Sequence, residues 1–89
     1  MPSRKWRYSR NVAWRKVAGE AVILNVDTAV YHSLGGAGLR MWELLGQGKS
    51  SEAVGRILAE EYDAGAERIL KDFDGLVRDL KKANLIEPA

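Results

Sequence analysis

The stretch Val22-Ile23-Leu24-Asn25-Val26-Asp27-Thr28-Ala29-Val30-Tyr31-His32-Ser33-Leu34 runs straight into Gly35-Gly36-Ala37-Gly38-Leu39-Arg40-Met41-Trp42-Glu43-Leu44-Leu45. Its first half reads as two β-strands joined by an Asp27-Thr28 turn. Its second half repeats apolar residues at helical spacing behind a cluster of glycines, which reads as an amphipathic helix. The strand that leads into this helix falls near the edge of a small sheet. Such an edge carries unpaired backbone groups that a peptide can join.

Working outward, Val12 to Ala18 holds Trp14 and Val17 and ends at Gly19-Glu20, a turn signal before the apolar run Ala21 to Val26. Asp27-Thr28 then turns the chain into Ala29 to Leu34. Connections of about two residues join antiparallel neighbours, so three short antiparallel strands follow, the third at an edge. Downstream, Gly35 is placed to cap a first helix with Ala37, Met41, Trp42, Leu44 and Leu45 on its apolar face, and Gly46 to end it in the left-handed conformation. Gly48 adds a second break. Ser50 is an N-cap for a second helix, in which Glu52 suits the positive end of the dipole and Val54, Ile57, Leu58 and Tyr62 recur at helical spacing. Asp63 to Gly65 interrupt that helix. A third, the longest, carries Ala66, Ile69, Leu70, Phe73, Leu76, Val77 and Leu80 along one stripe, with Lys81 and Lys82 at its negative end and Asn84 as terminator. Leu85 and Ile86 return to the core. The expected fold is α+β and winged-helix-like, a three-stranded antiparallel sheet followed by three helices.

At 89 residues the chain supports one modest core, and a binding surface fits that size better than a deep catalytic cavity. It contains no cysteine, which excludes disulfides, thiolate metal sites and cysteine nucleophiles and makes a cytoplasmic location the default. The longest apolar run, Ala21 to Leu24, is far too short for a membrane span, and the basic start lacks the apolar stretch of a secretory signal. The net charge of +2 is unevenly distributed. Residues 1–16 contain Arg4, Lys5, Arg7, Arg10, Arg15 and Lys16 and no acid, leaving eight of the fourteen basic residues against all twelve acids in the remainder, a balance of −4. Residues 1–10 are expected to form a basic arm, solvated and partly disordered, with residues 11–89 as the single folded domain. Trp6, Tyr8 and Trp14, interleaved with the arginines, also admit a nucleic-acid contact.

Catalytic patterns are scarce. His32 is the only histidine, and no pair of carboxylates is spaced like a reactive site, so no metal, cofactor or nucleophile is expected. His32 on a short strand reads as a half-exposed sheet residue. Gly48-Lys49-Ser50 imitates the end of a phosphate-binding loop, but the glycine that motif needs five residues earlier is Glu43, and a helix precedes it where a strand should. Gly35-Gly36-Ala37-Gly38 reads as a helix-entry turn packed near the sheet before it reads as an anion cradle.

The order and spacing of several short motifs resemble the PqqD-like proteins, leader-recognition domains of ribosomally made, modified peptides. The motifs are the Leu24-Asn25 strand end, Tyr31 with Leu34, Met41-Trp42-Glu43-Leu44-Leu45, Gly48-Lys49-Ser50, Leu58-Ala59-Glu60-Glu61-Tyr62-Asp63, Asp72 with Phe73, and Leu80 followed by Asn84-Leu85-Ile86. The resemblance covers Val12 to Ile86. It departs from the family pattern at Gly35, where a capping asparagine is common, and at Asn84, where glycine is common, and each substitute can do the same backbone job. The chain looks less like the pyrroloquinoline quinone pathway's own member.

The resemblance implies a non-catalytic peptide chaperone. A precursor's leader would lie along the third strand and against the third helix, pairing with the main chain of Ala29, Val30, Tyr31, His32 and Ser33. The floor of the groove would come from Ile69, Asp72, Phe73, Leu76, Val77 and Leu80, several of which serve the core as well. Tyr31 is equally a core residue or part of the groove wall. Among the charges beside the stripe, Arg68, Lys71, Asp72, Arg78 and Lys81 are solvated or pair with a charged leader. The implied partners are a precursor leader peptide and a separate maturation enzyme, which is a radical enzyme, a cyclase or a leader peptidase. The rival from another class is a winged-helix nucleic-acid-binding protein, disfavoured because Ala64 to Ala83 holds five basic and four acidic residues. A bare structural or homodimerisation module is a third reading.

Overall fold

The computed structural model describes residues 4–89. The elements follow in the order β1 (Trp6–Tyr8), β2 (Val12–Val17), β3 (Glu20–Asn25), β4 (Val30–Gly35), α1 (Ala37–Gly46), α2 (Ser51–Tyr62), α3 (Ala66–Lys82) and β5 (Ile86–Pro88). Strands β2, β3 and β4 form an antiparallel meander in that spatial order, and three helices follow it, an α+β fold.

Each sequence-expected strand is present, with boundaries displaced by one residue. The β2–β3 turn is Ala18-Gly19 and not Gly19-Glu20, because Glu20 pairs with Val17; φ is 51° at Ala18 and 80° at Gly19, positive at both positions as a type I′ loop has them. The second turn is longer than Asp27-Thr28, running from Val26 to Ala29 between the paired residues Asn25 and Val30. Its geometry is set by Asn25, whose side-chain oxygen accepts from the backbone N–H groups of Asp27 at 3.0 Å and Thr28 at 3.3 Å. Ala29 closes the turn with φ 59° and therefore lies outside β4.

The helix punctuation also moves. Gly36, with φ 56°, caps α1, while Gly35 remains in β4 opposite Glu20. Gly46 does not take the left-handed conformation assigned to it; Gly48 does, at φ 82°. The reason for glycine at position 46 is close approach, since a Cβ there would collide with the phenol ring of Tyr8. Ser50 caps α2 as expected, its hydroxyl accepting from the Ala53 N–H at 3.2 Å. Asn84 ends α3 at φ 59°, where its N–H donates to the Lys81 carbonyl and that of Leu85 to the Leu80 carbonyl, both at 3.0 Å. This closure satisfies two orphan carbonyls and turns Leu85 into the core.

The arm expected over residues 1–10 is folded where it is described. Trp6–Tyr8 pairs antiparallel with Ile86–Pro88, and the Arg7 guanidinium donates twice across this ribbon to the Glu87 carboxylate. Trp6 is 5% exposed. Sequence reasoning lacked this strand because three residues show no periodicity and the partner lies at the other end of the chain. Residues 1–3 of that expected arm lie outside the described residues.

One core unites the elements. Ala21 and Ile23 from the sheet meet Trp42, Leu44 and Leu45 of α1, Val54 and Leu58 of α2, and Phe73 of α3. Tyr8 stacks on Trp42 with ring centres 4.1 Å apart, Trp14 meets Trp42 edge-on at 5.9 Å, and the Tyr8 hydroxyl donates to the Trp42 carbonyl at 2.8 Å. Burial, reinforced by the nearby Glu43 carboxylate, pushes the Tyr8 hydroxyl pKa well above the ordinary phenol value. The helices are tied by a missing side chain and by an ion pair. A Cβ at Gly55 of α2 would press to 2.9 Å against Leu70 of α3. Arg40 of α1 forks onto Glu61 of α2 at 2.9 and 3.0 Å, and this hydrogen bond holds the Glu61 carboxyl below its usual range.

Replacing Trp6 by alanine removes a buried aromatic side chain and is expected to lower the unfolding free energy by about 3–5 kcal/mol. Urea denaturation checks this, and an unchanged midpoint would show the terminal ribbon to be peripheral.

Candidate functional site

The meander has two outer strands, β2 and β4, and among the described residues each pairs only with β3. Antiparallel pairing uses the N–H and C=O of alternate residues, so the alternate residues of an outer strand point theirs away from the sheet. The β2 edge carries Arg15 and Lys16, and the Lys16 ammonium reaches Glu43 at 3.9 Å. Charged side chains of this kind blunt an edge against pairing. The β4 edge, Val30-Tyr31-His32-Ser33-Leu34-Gly35, bears no formal charge when His32 is neutral.

The register decides which way each β4 side chain points. Val30 lies opposite Asn25, His32 opposite Ile23 and Leu34 opposite Ala21, and all three of those β3 residues are buried. Val30, His32 and Leu34 therefore share the helix-side face, and Tyr31 and Ser33 share the outer face. Tyr31 is 67% exposed, which answers its ambiguous reading: it belongs neither to the core nor to the helix-side wall. Val30 is 49% exposed, while His32 and Leu34 are half-buried.

Among the helices, α1 packs along β4, whereas α3 packs on α2, α1 and β5. The two flanks of α3 are distinguishable because successive residues turn by about 100°. Leu70 meets α2, and Asp74, Val77, Arg78 and Lys81 border Trp6 of β1 and Ser51 of α2. The opposite flank carries Asp72, Leu76, Asp79 and Ala83. At its end the Ala83 carbonyl accepts from Asn25 Nδ2 of β3 at 2.9 Å, which ties this flank to the sheet.

The expected site residues therefore separate. Ile69, Phe73, Val77 and Leu80 are buried, at 7%, 0%, 7% and 4% exposure, and form core. Val77 reaches the surface only on the flank away from the sheet, and Arg78 and Lys81 lie on that flank too. Asp72 is exposed and Leu76 half-buried on the sheet-side flank. Ala29 sits in the turn. The arrangement that remains is the strand Val30–Gly35, whose outer edge has no partner among the described residues and whose Val30, His32 and Leu34 face inward, and a helical flank with Leu76 between Asp72 and Asp79. Leu34, quoted from sequence only as a family motif, and Asp79 were not assigned to the site, although counting by two from His32 and by seven from Asp72 reaches them. Among the described residues no three His, Asp or Glu side chains gather as a metal site would require.

The family model described as "Coenzyme PQQ synthesis protein D (PqqD)" matches residues 20–86. Two solved structures share the fold. One, of TbiB1 in complex with the TbiA(beta) leader peptide, is 28% identical, superposes with a TM-score of 0.86 and covers 91% of this chain and 94% of its own. The other, of lasso peptide synthetase B1 complexed with the leader peptide, is 21% identical with a TM-score of 0.87, covering 94% of this chain and 99% of its own. No curated protein matches the sequence significantly.

The division between core and wall is measurable. Phe73→Ala is expected to cost about 3–5 kcal/mol in chemical denaturation. Tyr31→Ser is expected to stay within about 0.5 kcal/mol of the wild type.

Proposed function

Because the chain belongs to the PqqD family, we propose that it binds the leader of a ribosomally made precursor peptide and presents that precursor to a separate maturation enzyme, performing no chemistry itself. The observation that carries this reading is the outer edge of β4, which has no strand partner among the described residues and on which α3 does not pack. The two structural relatives, each described as a complex with a leader peptide, support it.

The physical mode is strand addition. A leader segment laid along Val30–Gly35 exchanges backbone hydrogen bonds with the outward-facing groups of β4, and its side chains point alternately to the two faces. On the inner face they meet Val30, His32, Leu34 and Leu76; on the outer face they pass Tyr31 and Ser33. Ordering about eight residues costs roughly 8–16 kcal/mol of backbone entropy, and about five hydrogen bonds return roughly 1 kcal/mol each. Apolar contacts on the inner face must therefore supply the larger share. Two or three apolar or aromatic leader residues spaced two apart are expected to dominate affinity.

Tethering the leader raises the effective concentration of the attached core segment at the enzyme. That enzyme is a radical enzyme, a cyclase or a leader peptidase, and a cytoplasmic setting accords with the absence of cysteine. Among the described residues no helix is long and apolar enough to cross a membrane. The winged-helix nucleic-acid reading gains nothing from the fold, since the charges of α3 nearly cancel along its length.

A fluorescently labelled leader of a precursor encoded beside this chain's gene tests the proposal. Leu76→Glu and Val30→Pro are each expected to weaken binding by roughly tenfold or more while leaving the fold intact by circular dichroism. Undiminished binding in both folded variants would contradict strand addition at β4.

A further inference from the structure

A second concave surface lies on the other flank of α3. It is a cleft of about 660 Å³ between β1, the first turn of α2 and the C-terminal half of α3. Arg4, Arg78, Lys81 and Lys82 surround it, against a single acid, Asp74. None of these four cations has an ion-pair partner among the described residues. The floor is apolar, made of Trp6 and Val77, and the Lys81 ammonium stands over the Trp6 ring at 5.2 Å. Ser51 brings the start of α2 to the same cleft, and its N–H donates to the Arg4 carbonyl at 3.0 Å, which holds Arg4 at the rim.

Unpaired positive charge around an apolar floor suits an anionic ligand that also has a hydrophobic side. The dimensions favour a protein segment over a nucleic acid. The cleft cations of α3, Arg78, Lys81 and Lys82, fall within little more than one helical turn, a rise of about 6 Å, too short for the six to ten phosphate contacts of a typical duplex footprint. Asp74 inside the cleft opposes a phosphate backbone, yet can accept a hydrogen bond from a peptide. We infer that this cleft docks an acidic, partly apolar segment of a protein partner, the maturation enzyme that receives the bound leader.

The inference rests on the leader-binding proposal for the partner's identity. Geometry supplies the link. The cleft lies on the flank of α3 opposite the one that Asn25 ties to the sheet, so a leader at β4 and a partner in the cleft can be held at once, as tethered presentation requires.

The experiment is a titration of the isotope-labelled full chain with a synthetic peptide of about twelve residues, glutamate with two leucines. The expected result is movement of the Trp6 indole N–H and of the amides from Asp74 to Lys82, with Val30 to Gly35 unmoved. Affinity should fall roughly tenfold or more in the Arg78→Glu/Lys81→Glu variant, and in Arg78→Gln/Lys81→Gln should the reversal not fold. The charge-matched Arg15→Glu/Lys16→Glu variant should retain wild-type affinity. Equal losses in both reversals, shifts confined to β4, or tighter binding of a random DNA duplex than of the peptide would each overturn the inference. A leader titration run in parallel separates the two readings: a chain that takes the acidic peptide in the cleft but no leader at β4 contradicts the proposed function and leaves the cleft standing.

Discussion

The buried amide of Asn25 holds together the two sides of the candidate site. Its oxygen accepts from the Asn11 side chain at 2.9 Å and from two N–H groups of the turn that launches β4, while its nitrogen donates to the carbonyl at the end of α3. At 2% exposure it is the one buried polar side chain among the described residues, and both its oxygen and its nitrogen are hydrogen-bonded. A buried amide left half-satisfied costs about 1–3 kcal/mol per orphaned group, so the network favours one arrangement of strand and helix over its neighbours. The start of β4 and the end of α3 are thereby fixed relative to each other. Apolar contacts alone would tolerate sliding; this directional set does not.

The terminal ribbon works toward the same end. Pairing of β1 with β5 anchors the chain immediately after α3, and Tyr8, stacked on Trp42 and lying over Gly46, locks that ribbon to α1. With α3 held by α2, α1 and the ribbon, nothing requires it to close onto β4. The free edge is thus a consequence of where the packing energy was placed. Its lack of Lys, Arg, Asp and Glu, against Arg15 and Lys16 on the β2 edge, leaves it without the charges that discourage pairing along β2.

Much of this was legible in the residues. Helical spacing gave the stripe of α3, Ser50 and Asn84 marked helix ends by their backbone chemistry, and short connections forced an antiparallel meander. What escaped were features that depend on distant partners. Trp6 looked like part of a charged arm because its burial comes from the far end of the chain. Gly46 looked like a terminator because the Tyr8 ring that excludes a Cβ there is 38 positions upstream. The candidate site was legible at its strand and only partly at its helix. One stripe of apolar residues contains both core and partly exposed positions, and only the packing shows that Phe73 and Val77 are buried while Leu76 is half-exposed.

The central claim is that β4, and not β2, offers its backbone to an incoming strand. Residue-resolved amide hydrogen exchange of the full chain, with and without a leader peptide, tests it most directly. The account expects alternate amides within Val30–Gly35 to gain protection on leader binding while those of Val12–Val17 keep their free rates. Protection along β2, or saturated leader binding with no change in β4, would contradict it.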